Sequence, residues 1–420
     1  MATVFDRKIR VLDLSMGWAG PLVGQMLAEM GAEVIKVEDT HYFDWWRGSL
    51  SMAAPEAQPI ERASTFNTAN RGKLGVTLDL LNPRGIELVK RLAAHADILI
   101  ENYSAGVMER FGLSYEILAP LNPRLIMISM PSFGYGGPET YSRGYGNTLE
   151  AMAGVTGLVR YHDSEQPYTL SNALGDPVGG LTGTFGILAA FYEREKTGRG
   201  QWIELAQVEG VIPMMAGQIL EYQLTGQAPL PRGNRHPDFA PHGIFRCGTG
   251  SESEEAWIAL AAASDDQWRA LARVLGLARL ESDPRFSDPK SRKRNEDALD
   301  AEIGRALAAL AIDEAVARLS AAGVYAAHVN SAPAVLGDSQ LQERGYFVPV
   351  ERAVVGTHLY PGAVARMSAT PAAQGAPAPL LGEHNAQVFR GLLGMTEAEL
   401  AELESAGVIG SAPRDYRKAS

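Results

Sequence analysis

A glycine-flanked aspartate is the residue of this chain best suited to carry out chemistry. Asp176 lies in the run Leu174-Gly175-Asp176-Pro177-Val178-Gly179-Gly180, directly before an apolar stretch that is typical of a helix. A carboxylate at a helix start stays ionised because the helix dipole favours the anion, and an ionised aspartate is a competent covalent nucleophile. The flanking glycines would let a bulky reactant approach it. The alternative interpretation is that Asp176 only caps the helix.

Signature motifs of other catalytic sites are missing from the sequence. The first turn reads Met16-Gly17-Trp18-Ala19-Gly20-Pro21, which lacks the three glycines of a dinucleotide-binding turn. P-loop, zincin and serine-hydrolase motifs are absent as well. His236 and His242 have a poor spacing for metal ligands, and we predict no metal site. The single cysteine, Cys247, is interpreted as a packing residue in a protein of a reducing compartment.

Composition limits the possible partners. The 420 residues include 49 acidic and 38 basic side chains, so the formal net charge is −11. This balance disfavours nucleic acid as a partner, although a local basic pocket is compatible with it. The start of the chain lacks an apolar signal region, and no run of about 18 apolar residues occurs. We therefore expect a cytoplasmic protein without membrane spans.

The first half of the chain alternates between strand and helix patterns. Residues 9–14 form an apolar strand pattern, 22–30 an amphipathic helix pattern and 34–37 a second strand pattern, which together predict a βαβ unit. The alternation continues with predicted strands at 76–80, 98–101 and 125–130 and a predicted helix at 85–94. This order predicts an α/β fold in which a Rossmann-like open parallel sheet forms the large domain.

The second half predicts a boundary and a smaller α+β domain. A helix is predicted at 176–195, with Asp176 at the N-cap and Pro177 at the first helical position. The loop at 226–241 is dense in Pro, Gly, Arg and Asn. Beyond it we predict strands at 257–262 and 326–329 and helices at 265–275, 295–321 and 396–405. The predicted segments are a large domain at 1–225, a linker and active-site loop at 226–250, a small domain at 251–335, and a C-terminal segment at 336–420 that returns to the large domain.

Blocks spread in order over nearly the whole chain resemble the class III CoA-transferases, the family of formyl-CoA and crotonobetainyl-CoA transferases. The resemblance begins with Val11-Leu12-Asp13-Leu14, Ala19-Gly20-Pro21 and Gly31-Ala32-Glu33-Val34-Ile35-Lys36-Val37-Glu38. It continues through Asn70-Arg71-Gly72-Lys73, Leu78-Asp79-Leu80, Glu101-Asn102-Tyr103, Asn122-Pro123-Arg124-Leu125, Thr197-Gly198-Arg199-Gly200-Gln201 and Leu381-Gly382-Glu383-His384.

The resemblance implies a covalent mechanism and a set of site residues. The family's nucleophilic aspartate matches Asp176, which would attack an acyl-CoA thioester and carry CoA to a carboxylic acid acceptor through an aspartyl anhydride and an aspartyl-CoA thioester. Residues matching the family's CoA site are Gly17, Trp18, Leu78, Asn102, Tyr103, Arg110 and Arg143. Coenzyme A would enter as a thioester substrate, with no permanently bound cofactor. Family members form interlocked dimers, so we expect a homodimer or a heteromer with a paralogous subunit.

Departures from the family pattern bear on the substrate. Trp18 stands where formyl-CoA transferases carry a glutamine, and Asp39 where they carry an arginine, which disfavours an oxalate-type acceptor. The sequences of residues 145–154 and 233–247 resemble transferases that act on succinyl-CoA with aromatic or dicarboxylic acids such as benzylsuccinate. The alternative within the fold is a 2-methylacyl-CoA racemase, which would need a histidine base before the aspartate. The stretch from Arg143 to Asn147 contains none.

Overall fold

The computed structural model describes residues 4–5, 8–48, 59–248 and 256–414. The chain divides into two compact units. The first contains Met1–Val155, Thr169–Gln223 and Gln342–Ser420, and the second contains Thr156–Tyr168 and Leu224–Leu341. Of the predicted C-terminal segment 336–420, residues 342–420 belong to the first unit and residues 336–341 to the second. Residues 156–168, which the sequence placed in the large domain, belong to the second unit instead.

The elements of the described residues follow in chain order. Up to the fifth strand they are β1 Arg10–Asp13, α1 Ala19–Glu29, β2 Glu33–Glu38, α2 Ser64–Ala69, β3 Lys73–Thr77, α3 Pro83–Ala93, β4 Ile98–Glu101, α4 Val107–Arg110, α5 Tyr115–Leu118 and β5 Ile126–Ser129. Next come α6 Gly146–Met152, α7 Val155–Leu158, α8 Gly175–Thr197, β6 Gln201–Glu204, α9 Gln207–Val211, α10 Ala216–Thr225, β7 His242–Arg246 and β8 Trp257–Ala261. The remainder are α11 Asp265–Val274, α12 Pro289–Arg294, α13 Glu296–Leu307, α14 Ile312–Ala321, β9 Tyr325–His328, α15 Ala332–Gly337, α16 Ser339–Glu343, β10 Phe347–Arg352, β11 Gly356–Pro361, α17 Asn385–Leu393 and α18 Glu397–Ser405.

A six-stranded parallel sheet forms the centre of the first unit. Its order is β3-β2-β1-β4-β5-β6, and each neighbouring pair is parallel. This is the strand order of doubly wound Rossmann-like folds, in which sites form outside the carboxyl ends of the strands. The predicted fold class is therefore confirmed.

Successive residues of each strand point to opposite faces of this sheet, and their side chains contribute to two separate hydrophobic cores. On one face Val11 and Ile128 pack against Val23 of α1 and Ile187 of α8. On the other face side chains such as Leu12 and Ile35 pack against α3, α17 and α18. Because both faces are covered, the middle of each central strand is mostly apolar, which explains why short apolar runs identified several strands in the sequence.

The second unit has its own sheet and core. Strands β7, β8 and β9 form an antiparallel sheet covered by the apolar faces of α11, α13 and α14. The prediction of one helix over 295–321 is wrong, since the chain breaks between α13 and α14. There the Gly248 backbone N–H donates to the Leu310 carbonyl oxygen at 2.9 Å and Gly248 forms a bridge with Ala311. A contact distant in sequence thus interrupts a locally helix-favouring segment.

Of the helices in the described ranges, none combines the length and the apolar character needed to span a bilayer.

Candidate active site

Asp176 is the second residue of the long helix α8. Leu174 occupies the N-cap position and contributes no side-chain cap, so the prediction that Asp176 caps the helix is wrong. The carboxylate is free of that capping bond and lies in the first turn, where the helix dipole favours an anion. Helix α8 ends at Thr197, and Gly198 adopts the left-handed conformation of a C-cap at φ 74°. The helix thus ends two residues beyond the predicted end at residue 195.

The glycines around Asp176 are in close contact with neighbouring protein atoms, so there is little free space beside them. A Cβ on Gly180 would lie 2.7 Å from Leu22 Cδ2, and one on Gly179 would lie 3.0 Å from Gln207 Oε1. A Cβ on Gly175 would lie 2.9 Å from the Gly146 carbonyl oxygen. The interpretation that these glycines make room for a bulky reactant is wrong. Gly180 lets α8 approach α1, which brings Asp176 to the first turn, while Gly179 and Gly175 allow close contact with α9 and α6.

Two backbone N–H groups and one acidic side chain determine the electrostatics of Asp176. Burial, together with a smaller contribution from nearby Glu150, raises the pKa of its carboxyl to about 6, against the Gly146 and Ala19 N–H groups, which favour the anion. The carboxylate and Gly146 are in close contact, because a Cβ there would lie 2.3 Å from Asp176 Oδ2. Asp176 is therefore mostly ionised at neutral pH while remaining only partly solvated.

The first turn, which supplies the Ala19 N–H, is held from two sides. Asn102 follows β4, and its side chain accepts from the Met16 N–H and donates to the Met16 carbonyl oxygen, both at 2.8 Å. Asp44 Oδ1 accepts from the Gly17 N–H at 2.9 Å. Gly17 has a φ of 75°, a conformation that favours glycine. The structure shows that Asn102 fixes the turn, whereas its predicted contact with CoA stays a prediction.

A chain of buried ion pairs lies beneath this turn. Lys73 Nζ is 2.8 Å from Asp13 Oδ2, and Lys36 Nζ is 3.0 Å from Asp44 Oδ2. Burial alone would raise the pKa of Asp13, but the two ammonium groups outweigh it and lower that pKa. The series continues through pairs that join Glu38 to Arg47, Arg47 to Glu61 and Glu61 to Arg352. Because a buried ion pair fixes geometry, the network holds Asp44 and thereby the turn.

An aromatic cluster borders the carboxylate. Trp18 precedes Ala19, and Tyr145 precedes Gly146, so each N–H donor to Asp176 follows an aromatic residue. The rings of Trp18 and Trp46 have centroids 5.3 Å apart, and those of Trp45 and Tyr145 meet edge to face at 5.6 Å. Trp45 is 49% exposed and Tyr145 is 66% exposed. Trp18 and Tyr145 were noted in the sequence, but Trp45 and Trp46 were not, although two adjacent tryptophans after β2 were a visible signal.

The remaining predicted CoA contacts are placed differently. The side chain of Leu78 is fully buried in the core, and its N–H donates to the Glu38 carbonyl oxygen. Tyr103 packs edge to face on Phe111, and burial raises the pKa of its hydroxyl. Its position directly after Asn102 keeps it beside the first turn.

The two predicted phosphate-binding arginines are exposed. Arg110 ends α4, and Arg143 lies in the loop before α6. Gly106 lies between the Arg110 guanidinium and the Tyr141 ring, since a Cβ there would be 3.4 and 3.5 Å from them. Within the described ranges neither arginine forms an ion pair with an acidic side chain. Both cations are therefore available to an anionic ligand.

His236 and His242 lie in the second unit and have partners within their own loop. The His236 ring stacks on Phe239 with centroids 3.8 Å apart, and His242 Nδ1 is 2.6 Å from the Asn234 carbonyl oxygen. These contacts give both rings a local packing role.

The fold and the site define a doubly wound α/β protein with a partly buried aspartate at the start of a helix, bordered by backbone N–H groups and aromatic rings. The family model for CoA-transferase family III matches residues 7–385. This chain belongs to CoA-transferase family III and is an enzyme of that class, as its sequence motifs predicted.

Relatives and a solved structure match over almost the full chain. The succinyl-CoA--D-citramalate CoA-transferase of Chloroflexus aurantiacus is 34% identical over 96% of this chain and 97% of its own length. The succinyl-CoA--L-malate CoA-transferase beta subunit of the same organism is 31% identical over 96% of this chain and 97% of its own length. The crystal structure of a CAIB/BAIF family protein from Brucella suis is similar with a TM-score of 0.83 and 31% identity, covering 91% of this chain and 98% of the other.

Proposed function

We propose that this enzyme transfers CoA from an acyl-CoA, with succinyl-CoA as the donor, to a carboxylic acid acceptor through covalent intermediates on Asp176. The observation that supports this most is the partly buried Asp176 carboxylate between the N–H groups of Gly146 and Ala19. The two relatives named above carry succinyl-CoA in their names.

The proposed reaction exchanges one thioester for another in four steps. An Asp176 oxygen attacks the thioester carbonyl carbon, and the CoA thiolate leaves, which gives a mixed anhydride. The thiolate then attacks the Asp176 side of the anhydride, which releases the free acid and leaves an aspartyl-CoA thioester. The acceptor carboxylate attacks this thioester and expels the thiolate, and the thiolate finally attacks the acceptor carbonyl to free Asp176. Each covalent intermediate divides a difficult exchange into easier steps.

The N–H groups that face Asp176 have a role in these steps. When the thiolate attacks the Asp176 carboxyl carbon, negative charge develops on an oxygen of that same group. The backbone N–H groups of Gly146 and Ala19 already favour the anion of this carboxyl, so these groups need little reorganisation when the charge forms. Removing one donor of this type typically costs about 10²–10³ in kcat.

Cationic and aromatic side chains near the site suit the phosphates of CoA and the apolar parts of CoA and the acid. The exposed Arg110 and Arg143 guanidinium groups suit phosphate oxygens, for which arginine has bidentate geometry. The rings of Trp18, Trp45 and Tyr145 offer apolar surface to the carbon skeleton of the acid or to pantetheine. We propose a dicarboxylic acid of the size of the acids named for the relatives as the acceptor.

The test is a transfer assay with succinyl-CoA and a panel of dicarboxylic and aromatic acids, in which new acyl-CoA is separated by chromatography. Asp176→Asn keeps the side-chain shape but removes the nucleophile, so transfer should fall to background. Asp163→Asn, at an exposed position of the second unit, is the matched control and should retain wild-type rates. Equal activity in both variants would contradict the proposal.

We also propose that the enzyme works as a homodimer or as a heteromer with a paralogous subunit. Helix α8 presents a stripe of exposed apolar side chains, Leu181, Phe185 and Tyr192, whose exposed fractions are 56%, 75% and 66%. Spacings of four and seven residues place them on one helix face. Light scattering should give about twice the chain mass of 45.1 kDa for a homodimer. A monomeric mass together with full activity would contradict this proposal.

A further inference from the structure

We propose that Glu150 is a positioning residue for the nucleophile, because its buried carboxylate holds the turn that carries Asp176. This inference rests on the proposed role of Asp176. Neither the motifs of the sequence nor the mechanism above assigns a role to Glu150.

The geometry of Glu150 is that of a buried acceptor. Its side chain lies on α6 and is fully buried, with 0% exposure. One carboxylate oxygen, Oε1, accepts a hydrogen bond from the backbone N–H of Leu174, the N-cap residue of α8. Oε2 is buried and has no hydrogen-bond partner among the described residues. Burying a carboxylate oxygen without a hydrogen-bond partner costs free energy of folding. A buried group of this kind in a native structure therefore calls for an explanation.

The turn that Glu150 contacts is strained. Ala173 has a φ of 41°, in the left-handed region that residues with a Cβ rarely adopt. The Asp176 N–H donates to the Ala173 carbonyl oxygen at 3.1 Å, so the strained residue also sets the backbone of the nucleophile. Strain of this kind persists only where surrounding contacts hold it, and the Leu174 N–H bond to Glu150 is such a contact.

Helix α6 contacts the nucleophile and its turn from one face. Gly146 and Glu150 are four residues apart and therefore lie on the same side of the helix. Gly146 contacts the Asp176 carboxylate, whereas Glu150 contacts the backbone two residues before it. The charge of Glu150 also raises the pKa of the Asp176 carboxyl. Glu150 thus influences both the position of the nucleophile and its affinity for a proton.

Two variants separate these influences. In Glu150→Gln the amide oxygen can still accept from the Leu174 N–H, but the negative charge is lost. We expect kcat at pH 8 within about threefold of wild type, and an acidic limb of the pH profile that shifts to lower pH because the like charge is gone. In Glu150→Leu the acceptor is lost, and we expect kcat to fall about 10²-fold with little change in KM for the acyl-CoA, as for a misplaced reacting group.

The control is Glu116→Gln, which changes an exposed glutamate on α5 and should leave both the rate and the pH profile unchanged. A wild-type kcat in Glu150→Leu would overturn the inference, as would equal impairment of the Gln and Leu variants. If Glu150→Leu does not fold, the rate of Glu150→Gln still decides, because a large loss of kcat with the acceptor for the Leu174 N–H retained would contradict positioning through that contact. Failure of the proposed function is distinguishable, because the wild-type enzyme itself would then form no covalent intermediate on Asp176.

Discussion

The acid dependence of CoA transfer follows from the surroundings of Asp176. Burial and Glu150 raise the pKa of this carboxyl from 3.8 to about 6. At pH 7 about 90% of Asp176 is ionised, but at pH 5 about 10% is, whereas an ordinary aspartate would remain more than about 90% ionised at pH 5. Since the anion is the proposed nucleophile, kcat/KM should fall nearly tenfold per pH unit below pH 6.

The assay measures initial rates of acyl-CoA formation from pH 4.5 to 8.5 at constant ionic strength. Enzyme held at each acidic pH and returned to pH 7.5 should recover its full rate, which separates titration from unfolding. An inflection near pH 6 agrees with the described surroundings. A plateau that extends to pH 5, with the inflection near pH 4, would refute the reasoning that burial and Glu150 outweigh the two N–H donors.

Three further perturbations follow from the structure. Gly146→Ala places a Cβ 2.3 Å from Asp176 Oδ2, so kcat should fall about 10²-fold, whereas Gly391→Ala, in open space on α17, should be silent. Lys73→Met leaves the buried Asp13 carboxylate without its 2.8 Å partner and should lower the free energy of unfolding by about 3–5 kcal/mol, measured by urea denaturation. Burial raises the pKa of Glu101 to about 7, so its protonated form stabilises the fold at low pH and that stability is lost as pH rises toward 7. Glu101→Gln should therefore raise the melting temperature at pH 8 more than at pH 5.

Each of these results has a contradicting counterpart. Equal rates for Gly146→Ala and Gly391→Ala would mean that the carboxylate is not confined. Lys73→Met with a wild-type urea midpoint would mean that Lys36 alone compensates Asp13. The same melting-temperature change at pH 5 and pH 8 in Glu101→Gln would mean that Glu101 does not titrate in this range.

Most of the sheet was predictable because its strands contain short apolar runs separated by helix patterns, but β3 begins three residues before the predicted strand at 76–80, and β6 was not predicted. Residues 98–101 match β4 at both ends, and the predicted strand at 34–37 lies within β2. The break between α13 and α14 was not predictable, since it depends on Gly248, which is distant in sequence. Local sequence patterns therefore identify helices and strands, but they cannot show where a distant segment forms a hydrogen bond with a carbonyl group that a continuous helix would use.

The candidate site was predictable in part, for a related reason. Asp176 and Asn102 could be identified from motifs, because their neighbours in sequence mark them. Glu150 and Asp44 could not, because their importance comes from the Leu174 and Gly17 N–H groups that the fold brings to them. Asp176 itself was misassigned as an N-cap, since sequence cannot distinguish the cap from the second helical position.

The most direct test of the proposed mechanism is to trap the intermediate on Asp176. The enzyme is incubated with succinyl-CoA without an acceptor and treated with hydroxylamine, which converts an aspartyl thioester to a hydroxamate, and its peptides are analysed by mass spectrometry. The mechanism predicts a hydroxamate on Asp176 and none on the exposed Asp163. An unmodified Asp176, together with transfer activity retained in Asp176→Ala, would contradict it.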